Sequence, residues 1–570
     1  MVAELASWPA MSLDQCQAAL CAPDMPFEME TADIRDIETR VWKNLYPDLS
    51  ALAAHAGTHG DQLIHIYQDE RLSYGDWFRA VAKLANELVA MGVKPGDRVA
   101  LAMRNLPEWS MCFFATVVAG AISVPVNAWW TGEELTFGLK NSGASVLICD
   151  EERLARLAPH KNELPDLRKI ISTRGEKQSG VTTLESIVGH VADYGSLPEM
   201  PLPSVDLTPE TRAAIMYTSG TTGQPKGAII SHRNFLTNIL SSGYVAARSI
   251  LRRGEAIPEP TPKSSLVVIP MFHATALSAI TMGSLHGGHT MIFMRKWEPV
   301  EAFQIIEREK VASTGGVPTI AWQMIEHPER ENYDLSSLEA VSYGGAPSAP
   351  ELVRKIKSVF GSQPGNGWGM TETTATVTTH SAEDYLNRPE SAGPPVPVAE
   401  IRVTDEEGND LPPNTVGELW AKGPQVVEGY WERPDANAET FIDGWVRTGD
   451  LAKIDEEGFL FIVDRAKDMI IRGGENIYSS EIENVLYDHP AVTDCALIGL
   501  PHRTLGEEPA AVVRLAPGTS ATEDELRDHV RQHCAAFKVP VKIAFSPELL
   551  PRNANGKILK RELAVFFDDD

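Results

Sequence analysis

Residues 217–227 bring together the residue types that bind phosphate groups most readily. Glycine lets the backbone approach a ligand and turn its N–H groups inward, hydroxyls donate to phosphate oxygens, and lysine supplies positive charge. The spacing does not fit the Walker A pattern, so it predicts a different phosphate cradle, with a Ser/Thr/Gly-rich surface turn as the alternative. The candidate residues are Thr218, Ser219, Gly220, Thr221, Thr222, Gly223 and Lys226.

This segment resembles the phosphate loop of the adenylate-forming superfamily, which comprises acyl-CoA synthetases, aryl-CoA ligases, peptide-synthetase adenylation domains and firefly luciferase. Further segments resemble the family's other motifs, occur in the family's order and together cover roughly residues 60–565. They are Pro270–His273, Tyr343–Pro347, Gly367–Glu372, Gly417–Trp420, Trp445–Asp450, Asp464–Lys467, Gly473–Asn476 and Pro551–Lys557.

The resemblance implies a ligase that works in two steps. A carboxylate first attacks the α-phosphate of ATP and expels pyrophosphate, and the acyl group of the acyl-AMP then passes to the thiol of CoA. Because both reactants of the first step are anions that repel each other, catalysis must consist mainly of positioning and charge neutralisation.

The family's motifs assign roles to individual residues of this chain. Lys557 matches the catalytic lysine expected to bridge the carboxylate and the α-phosphate, and Lys226 belongs to the phosphate loop. Thr371 is expected to donate to the α-phosphate, and Glu372 to hold Mg²⁺, a hard cation that prefers oxygen ligands. The expected nucleotide contacts outside the phosphate loop are Gly345, Ala346, Pro347, Trp368, Gly369, Met370, Asp450 and Arg465, the last two at the ribose.

Two further segments suit a moving C-terminal domain. Lys467 occupies the family's hinge position, about which a rigid-body rotation would withdraw Lys557 after adenylation. The same rotation would bring Gly473 and Gly474 towards the acyl-AMP, where paired glycines leave a tunnel open for the pantetheine arm of CoA. A plain turn is the alternative interpretation of this glycine pair.

His273 resembles the histidine that orients the carboxylate at the wall of the acyl pocket, although a buried structural histidine is the alternative. The chain departs from many relatives three positions later, where Ala276 replaces glycine and reshapes the acyl channel. Further expected lining residues are Gly315–Thr319, Trp322 and Tyr343–Gly345, of which Trp322 could equally be ordinary core.

The elements that position these residues follow from hydrophobic patterning. From residue 74 onward, helical segments alternate with short apolar strands, which predicts parallel α/β sheets. After about residue 393 the pattern becomes antiparallel, with a hairpin at 451–463, and a small α+β unit follows. We therefore expect a large N-terminal body (1–463), whose first 60 residues form an arm over it, and a small mobile C-terminal domain (464–570).

Local signals refine this outline. Ser480-x-x-Glu483 and Thr522-x-x-Glu525 predict capping boxes that open two C-terminal helices. The apolar stretch 111–126 predicts a buried helix and strand, because it is too short and too broken to cross a bilayer. His286 and His289 have metal-like spacing, but a glycine loop is the favoured interpretation.

The amino-acid composition limits which classes of function are expected. The 570 residues are 43% hydrophobic and 23% charged, as in a globular protein with substantial cores, and the net charge is −27. An acidic surface repels the phosphate backbone of nucleic acids but does not prevent ATP binding in a local cradle. Six scattered cysteines without a C-x-x-C pair favour the cytoplasm.

Several questions remain open from the sequence alone. The acceptor of the acyl group is expected to be CoA, with an amino acid or a carrier-protein thiol as alternatives and luciferase-like oxygenation as a more distant one. A non-catalytic nucleotide-binding scaffold is the competing class, which the matching Lys226, Glu372, Asp450 and Lys557 disfavour. The carboxylic acid and the oligomeric state, including a homodimer, are not determined.

Overall fold

The computed structural model describes residues 8–218, 224–344, 350–553 and 556–567. Strands β1 to β17 span Met29–Ile34, Ile37–Trp42, Leu63–Tyr67, Glu70–Ser73, Arg98–Ala102, Ile122–Pro125, Val146–Asp150, Lys169–Thr173, Thr182–Thr183, Arg212–Tyr217, Gly227–Ser231, Ser264–Val267, Thr290–Phe293, Ser313–Gly316, Ala340–Gly344, Gln363–Trp368 and Thr378–Ser381. Strands β18 to β27 span Glu400–Thr404, Gly417–Lys422, Phe441–Ile442, Trp445–Ile454, Leu460–Arg465, Ile470–Arg472, Glu475–Ile477, Val492–His502, Gly506–Leu515 and Lys542–Phe545.

The α-helices lie between these strands. Helices α1 to α16 span Leu13–Leu20, Leu49–Gly57, Tyr74–Ala90, Pro107–Val118, Gly132–Ser142, Glu151–Leu157, Glu185–Val188, His232–Arg252, Met282–Gly287, Pro299–Glu309, Pro318–Glu326, Pro350–Phe360, Ala382–Asn387, Pro434–Thr440, Ser479–Tyr487 and Glu523–His533. A π-helical segment, Thr275–Thr281, precedes α9. A 3₁₀ helix, Lys560–Phe567, follows the last strand.

Two large, mainly parallel sheets form the body, which confirms the predicted α/β class. The seven-stranded sheet has the order β11-β10-β6-β5-β7-β8-β9, and the eight-stranded sheet has the order β17-β16-β15-β14-β12-β13-β3-β4. Among the described strands of these two sheets, antiparallel pairs occur only at the edges, at β10–β11, β16–β17 and β3–β4. In the seven-stranded sheet, the central strands β5, β6 and β7 are mainly apolar and almost wholly buried, as expected of a parallel sheet that is covered on both faces.

Helix α4 shows how completely the body buries its apolar segments. Every residue of α4 is buried, and β6 follows directly as a buried strand, so the prediction for residues 111–126 is confirmed. None of the helices in the described parts of the chain is long and apolar enough to cross a membrane.

The described part of the N-terminal arm, residues 8–60, packs against helix α8 as expected. The Trp42 indole N–H donates to the Ser241 hydroxyl (3.1 Å), and Arg252 in α8 donates to the Met11 carbonyl (3.0 Å). Arg252 also forms a buried ion pair with Asp384 (2.6 Å), which joins α8 to α13. The arm therefore covers the outer face of the helix whose opposite face borders the cleft described below.

A β subdomain follows the body, with strand order β18-β19-β21-β20 and β22 paired to β21. The predicted hairpin is present as the antiparallel pair β21–β22. Its register sets Asp450 opposite Arg465, so two residues 15 positions apart in sequence become cross-strand neighbours.

The C-terminal segment forms a five-stranded sheet, β24-β23-β26-β25 with β27 beside β26, covered by α15 and α16. The Thr522–Glu525 capping box is confirmed at the start of α16. The Ser480–Glu483 box is wrong, because α15 already begins at Ser479 and Tyr478 is its cap. Ser480 donates instead to the Val463 carbonyl, and Glu483 accepts from the Leu497 N–H (2.8 Å). The boundary between 463 and 464 stays a prediction.

Candidate active site

A cleft of about 2370 Å³ lies between the eight-stranded sheet, the β subdomain and the C-terminal segment. The candidate residues that border this cleft span more than three hundred positions of the sequence. They are Thr218, Lys226, His273, Trp368, Gly369, Met370, Thr371, Glu372, Asp450, Arg465, Lys467 and Lys557. The remaining loop candidates, namely Ser219, Gly220, Thr221, Thr222, Gly223, Gly345, Ala346 and Pro347, lie outside the described residues.

Lys557 reaches the cleft from a tight turn near the C-terminus. The Lys557 N–H donates to the Asn553 side chain (3.0 Å), and the Asn553 N–H donates to the Lys557 carbonyl (2.9 Å). The turn lies against the body, because a Cβ at Gly556 would come within 2.6 Å of Val317. The tail of the chain is therefore held at the segment expected to line the acyl channel.

The cleft lowers the pKa of Lys557 to about 8, first because it is buried and then because Arg465 repels its charge. The carboxylates of Asp450 and Glu372 oppose this shift. At neutral pH the ammonium ion therefore remains the main form, but it is held with less hydration than a surface lysine. Such a cation is suited to neutralising an anion that enters the cleft.

His273 lies close enough to Lys557 for the two charges to interact. Burial, and then the positive charge of Lys557, lower the pKa of His273 to about 4, so the imidazole is neutral at physiological pH. Its Nδ1 atom has no hydrogen-bond partner within the described ranges. A neutral ring with a free nitrogen can therefore contact a substrate carboxylate without adding charge.

The carboxylate of Asp450, in the β subdomain, contacts two polar side chains. Its Oδ1 atom lies 2.6 Å from Arg465 Nε, and its Oδ2 atom accepts a hydrogen bond from the Trp368 indole (2.8 Å). The side chain is only 5% exposed. These contacts hold the carboxylate in one orientation and leave acceptor capacity on both oxygens, since each carries two lone pairs.

Glu372 is the candidate metal ligand, and its surroundings fit a hard cation. Its Oε1 atom accepts a hydrogen bond from the Tyr430 hydroxyl (2.6 Å), whereas Oε2 has no hydrogen-bond partner among the described residues. The ammonium group of Lys226 lies 4.8 Å from the centre of the Tyr430 ring. One oriented carboxylate group near the lysine that is expected to bind phosphate suits Mg²⁺, which commonly binds one carboxylate and phosphate oxygens.

The backbone after Glu372 adopts unusual conformations. Thr374 and Ala375 have positive φ angles of 48° and 84°, which cost energy in residues other than glycine. Asn238 of α8 holds this segment, because its side chain donates to the Thr374 carbonyl (2.8 Å) and accepts from the Thr376 N–H (3.2 Å). Thr371 and Glu372 are thus positioned by a strained turn that α8 stabilises.

Comparison with known proteins agrees with this geometry. The AMP-binding enzyme family model matches residues 52–431, and the model for the AMP-binding enzyme C-terminal domain matches residues 481–557. The chain belongs to the AMP-binding enzyme family. The resemblance and the fold class expected from the sequence are both confirmed.

Relatives of this AMP-binding enzyme include acid–CoA ligases along almost their whole length. The chain is 37% identical to a feruloyl-CoA synthase of Amycolatopsis sp, over 86% of the chain and 93% of the relative. It is 33% identical to a long-chain-fatty-acid–CoA ligase of Bacillus subtilis (strain 168), over 90% and 93%. The structure of o-succinylbenzoate CoA synthetase from Bacillus subtilis, in complex with its acyl-adenylate intermediate, matches with a TM-score of 0.74 and 29% identity, over 91% and 98%.

Not every candidate of this AMP-binding enzyme lies in the cleft. Gly473 and Gly474 form the two-residue turn between β23 and β24, with φ angles of 61° and 91°, and neither borders the cleft. Their positive φ angles fit the plain-turn interpretation as well as a loop that moves.

Of the two histidines expected in a glycine loop, His286 and His289, the first lies in a helix. His286 lies in the last turn of α9, where its Nδ1 atom is 2.8 Å from the Tyr46 hydroxyl. Gly288 then ends the helix in a left-handed conformation before His289. No group of three metal-binding side chains is found in the described part of the chain.

Two residues that shape the site were missed by sequence analysis, namely Tyr430 and Asn238. Tyr430 follows Gly429 in a loop without a periodic pattern, and Asn238 lies within an otherwise ordinary helix. Neither residue belongs to a recognisable spacing, so only their contacts reveal their roles.

Proposed function

We propose that this chain joins a carboxylic acid to ATP, releases pyrophosphate, and transfers the acyl group of the acyl-AMP to CoA. The chain is thus an AMP-forming acid–thiol ligase. The observation that carries the proposal is the meeting of Lys557, from the tail, with Asp450 and Glu372 in one cleft. The family membership and the names of the relatives support CoA as the acceptor.

In the first half-reaction, Lys557 neutralises the repulsion between the two anions. Its ammonium group bridges the attacking carboxylate and the α-phosphate oxygen, while Thr371 donates a hydrogen bond to the same phosphate. His273, neutral in the cleft, orients the carboxylate. Because these groups are already in place before the reaction, their reorganisation costs little at the transition state.

The nucleotide is held from two sides. Asp450 accepts hydrogen bonds from the ribose hydroxyls, in an orientation that Arg465 and Trp368 impose on its carboxylate. Lys226 binds the phosphate chain, and Glu372 would hold Mg²⁺ through its unpaired oxygen. When bound, Mg²⁺ would supply positive charge that offsets the charge of the phosphates.

The second half-reaction requires Lys557 to leave. We assign residues 1–463 to the body and 464–570 to a domain that rotates about Lys467, which carries the Gly473–Gly474 turn towards the acyl-AMP. The position of this turn outside the cleft fits the adenylating arrangement. A homodimer is the proposed assembly, which the molecular mass in solution tests.

A pyrophosphate-release screen over a panel of carboxylic acids tests the proposal. The relatives' names make ferulic acid and long-chain fatty acids the first candidates. Acids that release pyrophosphate are then incubated with CoA, with amino acids, or with a carrier protein, and the products are analysed by mass spectrometry. Acyl-CoA and AMP are expected, amide products would reassign the acceptor, and no release from any acid would refute the proposal.

A further inference from the structure

Helix α15 begins shortly after the proposed hinge and has no cap from its own sequence. Its N-cap residue is Tyr478, whose side chain accepts no hydrogen bond from the helix. The first backbone N–H of the helix, at Ser479, donates instead to the carboxylate of Asp464. Ser479 is fully buried and Asp464 is only 8% exposed, so water cannot replace this hydrogen bond. Loss of the carboxylate would therefore leave a buried N–H without a partner.

The cap comes from the opposite side of the hinge. Asp464 precedes Lys467 and belongs to strand β22, which pairs with β21 of the β subdomain. A second hydrogen bond joins the same two elements, because the Ser480 hydroxyl donates to the Val463 carbonyl. Rotation about Lys467 would move α15 relative to β22 and separate the partners of both hydrogen bonds. Both therefore belong to the arrangement in which Lys557 lies in the cleft.

Helix α15 is joined in turn to the tail that carries Lys557. Glu483 lies one turn into the helix, and its Oε1 atom is 2.8 Å from the ammonium nitrogen of Lys560. The same oxygen accepts a hydrogen bond from the Leu497 N–H (2.8 Å), which fixes its position. Lys560 follows Lys557 by three residues in the chain. A displacement of α15 would therefore be passed to the turn that presents Lys557 to the cleft.

The charge of Asp464 suits a cap that can be released. Burial raises its pKa to about 6, and the positive charge of Lys560 limits the rise, so the carboxylate is mainly ionised at neutral pH. An ionised oxygen accepts a stronger hydrogen bond from a backbone N–H than a neutral oxygen does. The buried charge would regain its hydration if α15 moved away, which lowers the free-energy cost of breaking the hydrogen bond.

We infer that Asp464 is a positioning residue that holds the C-terminal domain in the adenylating arrangement by capping helix α15 across the hinge. Ser480 adds a second hydrogen bond between the same two elements. Asp464 acts on Lys557 through α15 and Lys560, and this role requires no contact with the substrates. The inference rests on the proposed function, because it names what keeps Lys557 in the cleft during the first half-reaction.

Separate measurement of the two half-reactions tests this role. The acid is the one in the panel that releases pyrophosphate fastest, with ferulic acid tried first, and the second step starts from its preformed acyl-AMP. Asp464→Ala is expected to lower kcat for adenylation about 10-fold, because it removes a helix cap and leaves a buried N–H unpaired. Thioester formation should stay within about 2-fold of the unmodified enzyme, because the rotated arrangement does not use this cap.

Three further variants separate positioning from a general loss of stability. Asp464→Asn keeps an oxygen that can cap the helix and should restore adenylation to within about 3-fold, since asparagine and aspartate cap equally well. Ser480→Ala removes the second hydrogen bond and should slow adenylation alone, by about 3-fold. Thr522→Ala is the matched control, because it removes the cap of α16, in which Thr522 accepts from the Glu525 N–H (3.2 Å) within the same domain. It should lower the temperature of thermal unfolding but leave the ratio of the two rates unchanged.

The outcomes distinguish this inference from the proposed function. Unchanged rates or equal losses in both half-reactions of Asp464→Ala overturn the inference while the ligase function stands. Failure of Asp464→Asn to restore adenylation, or a changed ratio of rates in Thr522→Ala, does the same. If thermal unfolding shows that Asp464→Ala does not fold, Ser480→Ala decides, and equal effects on its two steps overturn the inference. No pyrophosphate release from any acid by the unmodified enzyme overturns both.

Discussion

Lys557 is a lysine whose surroundings oppose its charge in the absence of substrate. Burial and Arg465 lower its pKa to about 8, and the nearby carboxylates of Asp450 and Glu372 only partly compensate. In the proposed adenylation, the same ammonium group gains two anionic partners when a carboxylate and a triphosphate enter the cleft. Its interaction energy therefore increases most in the complex that reacts, which is what catalysis requires.

Replacement of this side chain should affect the two half-reactions unequally. We expect Lys557→Ala to slow adenylation about 100- to 1000-fold, as for loss of one preorganised group that stabilises transition-state charge. Thioester formation from preformed acyl-AMP should be much less affected, because Lys557 has left the cleft by then. Pyrophosphate release and acyl-CoA formation are measured separately, and an equal loss in both would contradict the assignment.

The lowered pKa predicts a specific dependence on pH. As pH rises through about 8, the ammonium form of Lys557 is lost, so kcat/KM for adenylation should decrease by about 10-fold per unit above that value. The pH profile of pyrophosphate release measures this decrease. Lys557→Ala should lack the decline, and a wild-type profile that stays level to pH 9.5 would argue against a catalytic ammonium group.

Asp450 should contribute mainly to ATP binding. We expect Asp450→Ala to raise the KM for ATP about 10- to 100-fold, since hydrogen bonds to a buried carboxylate are lost and Arg465 loses its partner. Asp410→Ala removes an exposed carboxylate of the same subdomain and serves as the control. An unchanged KM for ATP in Asp450→Ala would remove this residue from the proposed ribose site.

At the scale of elements, two short turns position two of the proposed functional side chains. Lys557 is positioned by a turn that begins at Asn553, and Glu372 by a strained turn that Asn238 holds from α8. Strand pairing positions the two residues of the proposed ribose site, because the β21–β22 register places Asp450 opposite Arg465.

The turn that presents Lys557 can be tested through its glycine. Gly556→Ala places a methyl group 2.6 Å from Val317 and should displace the lysine, which would slow adenylation about 10-fold or more. Gly518→Ala is a matched control, because Gly518 has a similar φ of 79° and no described neighbour within 4 Å. Equal rates of adenylation in both variants would show that the contact with Val317 does not position Lys557.

Local sequence signals predicted the elements well but not every detail of their ends. The Thr522–Glu525 capping box formed as expected, because each side chain accepts a hydrogen bond from the backbone N–H of the other residue. Ser480 and Glu483 have the same spacing, but both side chains bond to neighbouring strands instead. Tertiary hydrogen bonds can thus replace a local cap of similar strength.

At the scale of the whole molecule, the proposed cycle requires the C-terminal segment to occupy two positions. In the structure Lys557 lies in the cleft and the Gly473–Gly474 turn lies outside it, which is the arrangement that the proposal assigns to adenylation. A rotation about few backbone dihedrals exchanges the two without unfolding either part.

Restriction of the backbone at the hinge tests this cycle. Lys467→Pro fixes φ near −65° and should trap one arrangement, so that one half-reaction loses most of its rate while the other persists. Lys467→Ala changes the same side chain but leaves the backbone free, and should retain both. Stopped-flow measurement of pyrophosphate release and of thioester formation checks the outcome, and survival of both steps in Lys467→Pro would exclude this hinge.

The residue types, their order and the hydrophobic periodicity by themselves determined the family, the α/β class and the candidates for charge neutralisation. These features depend on local chemistry and on alternation along the chain, which a single sequence contains. Only the tertiary structure decided that Tyr430 orients Glu372 and that Asn238 supports its turn. Such contacts join residues far apart in the chain, and their geometry depends on how strands register and helices pack.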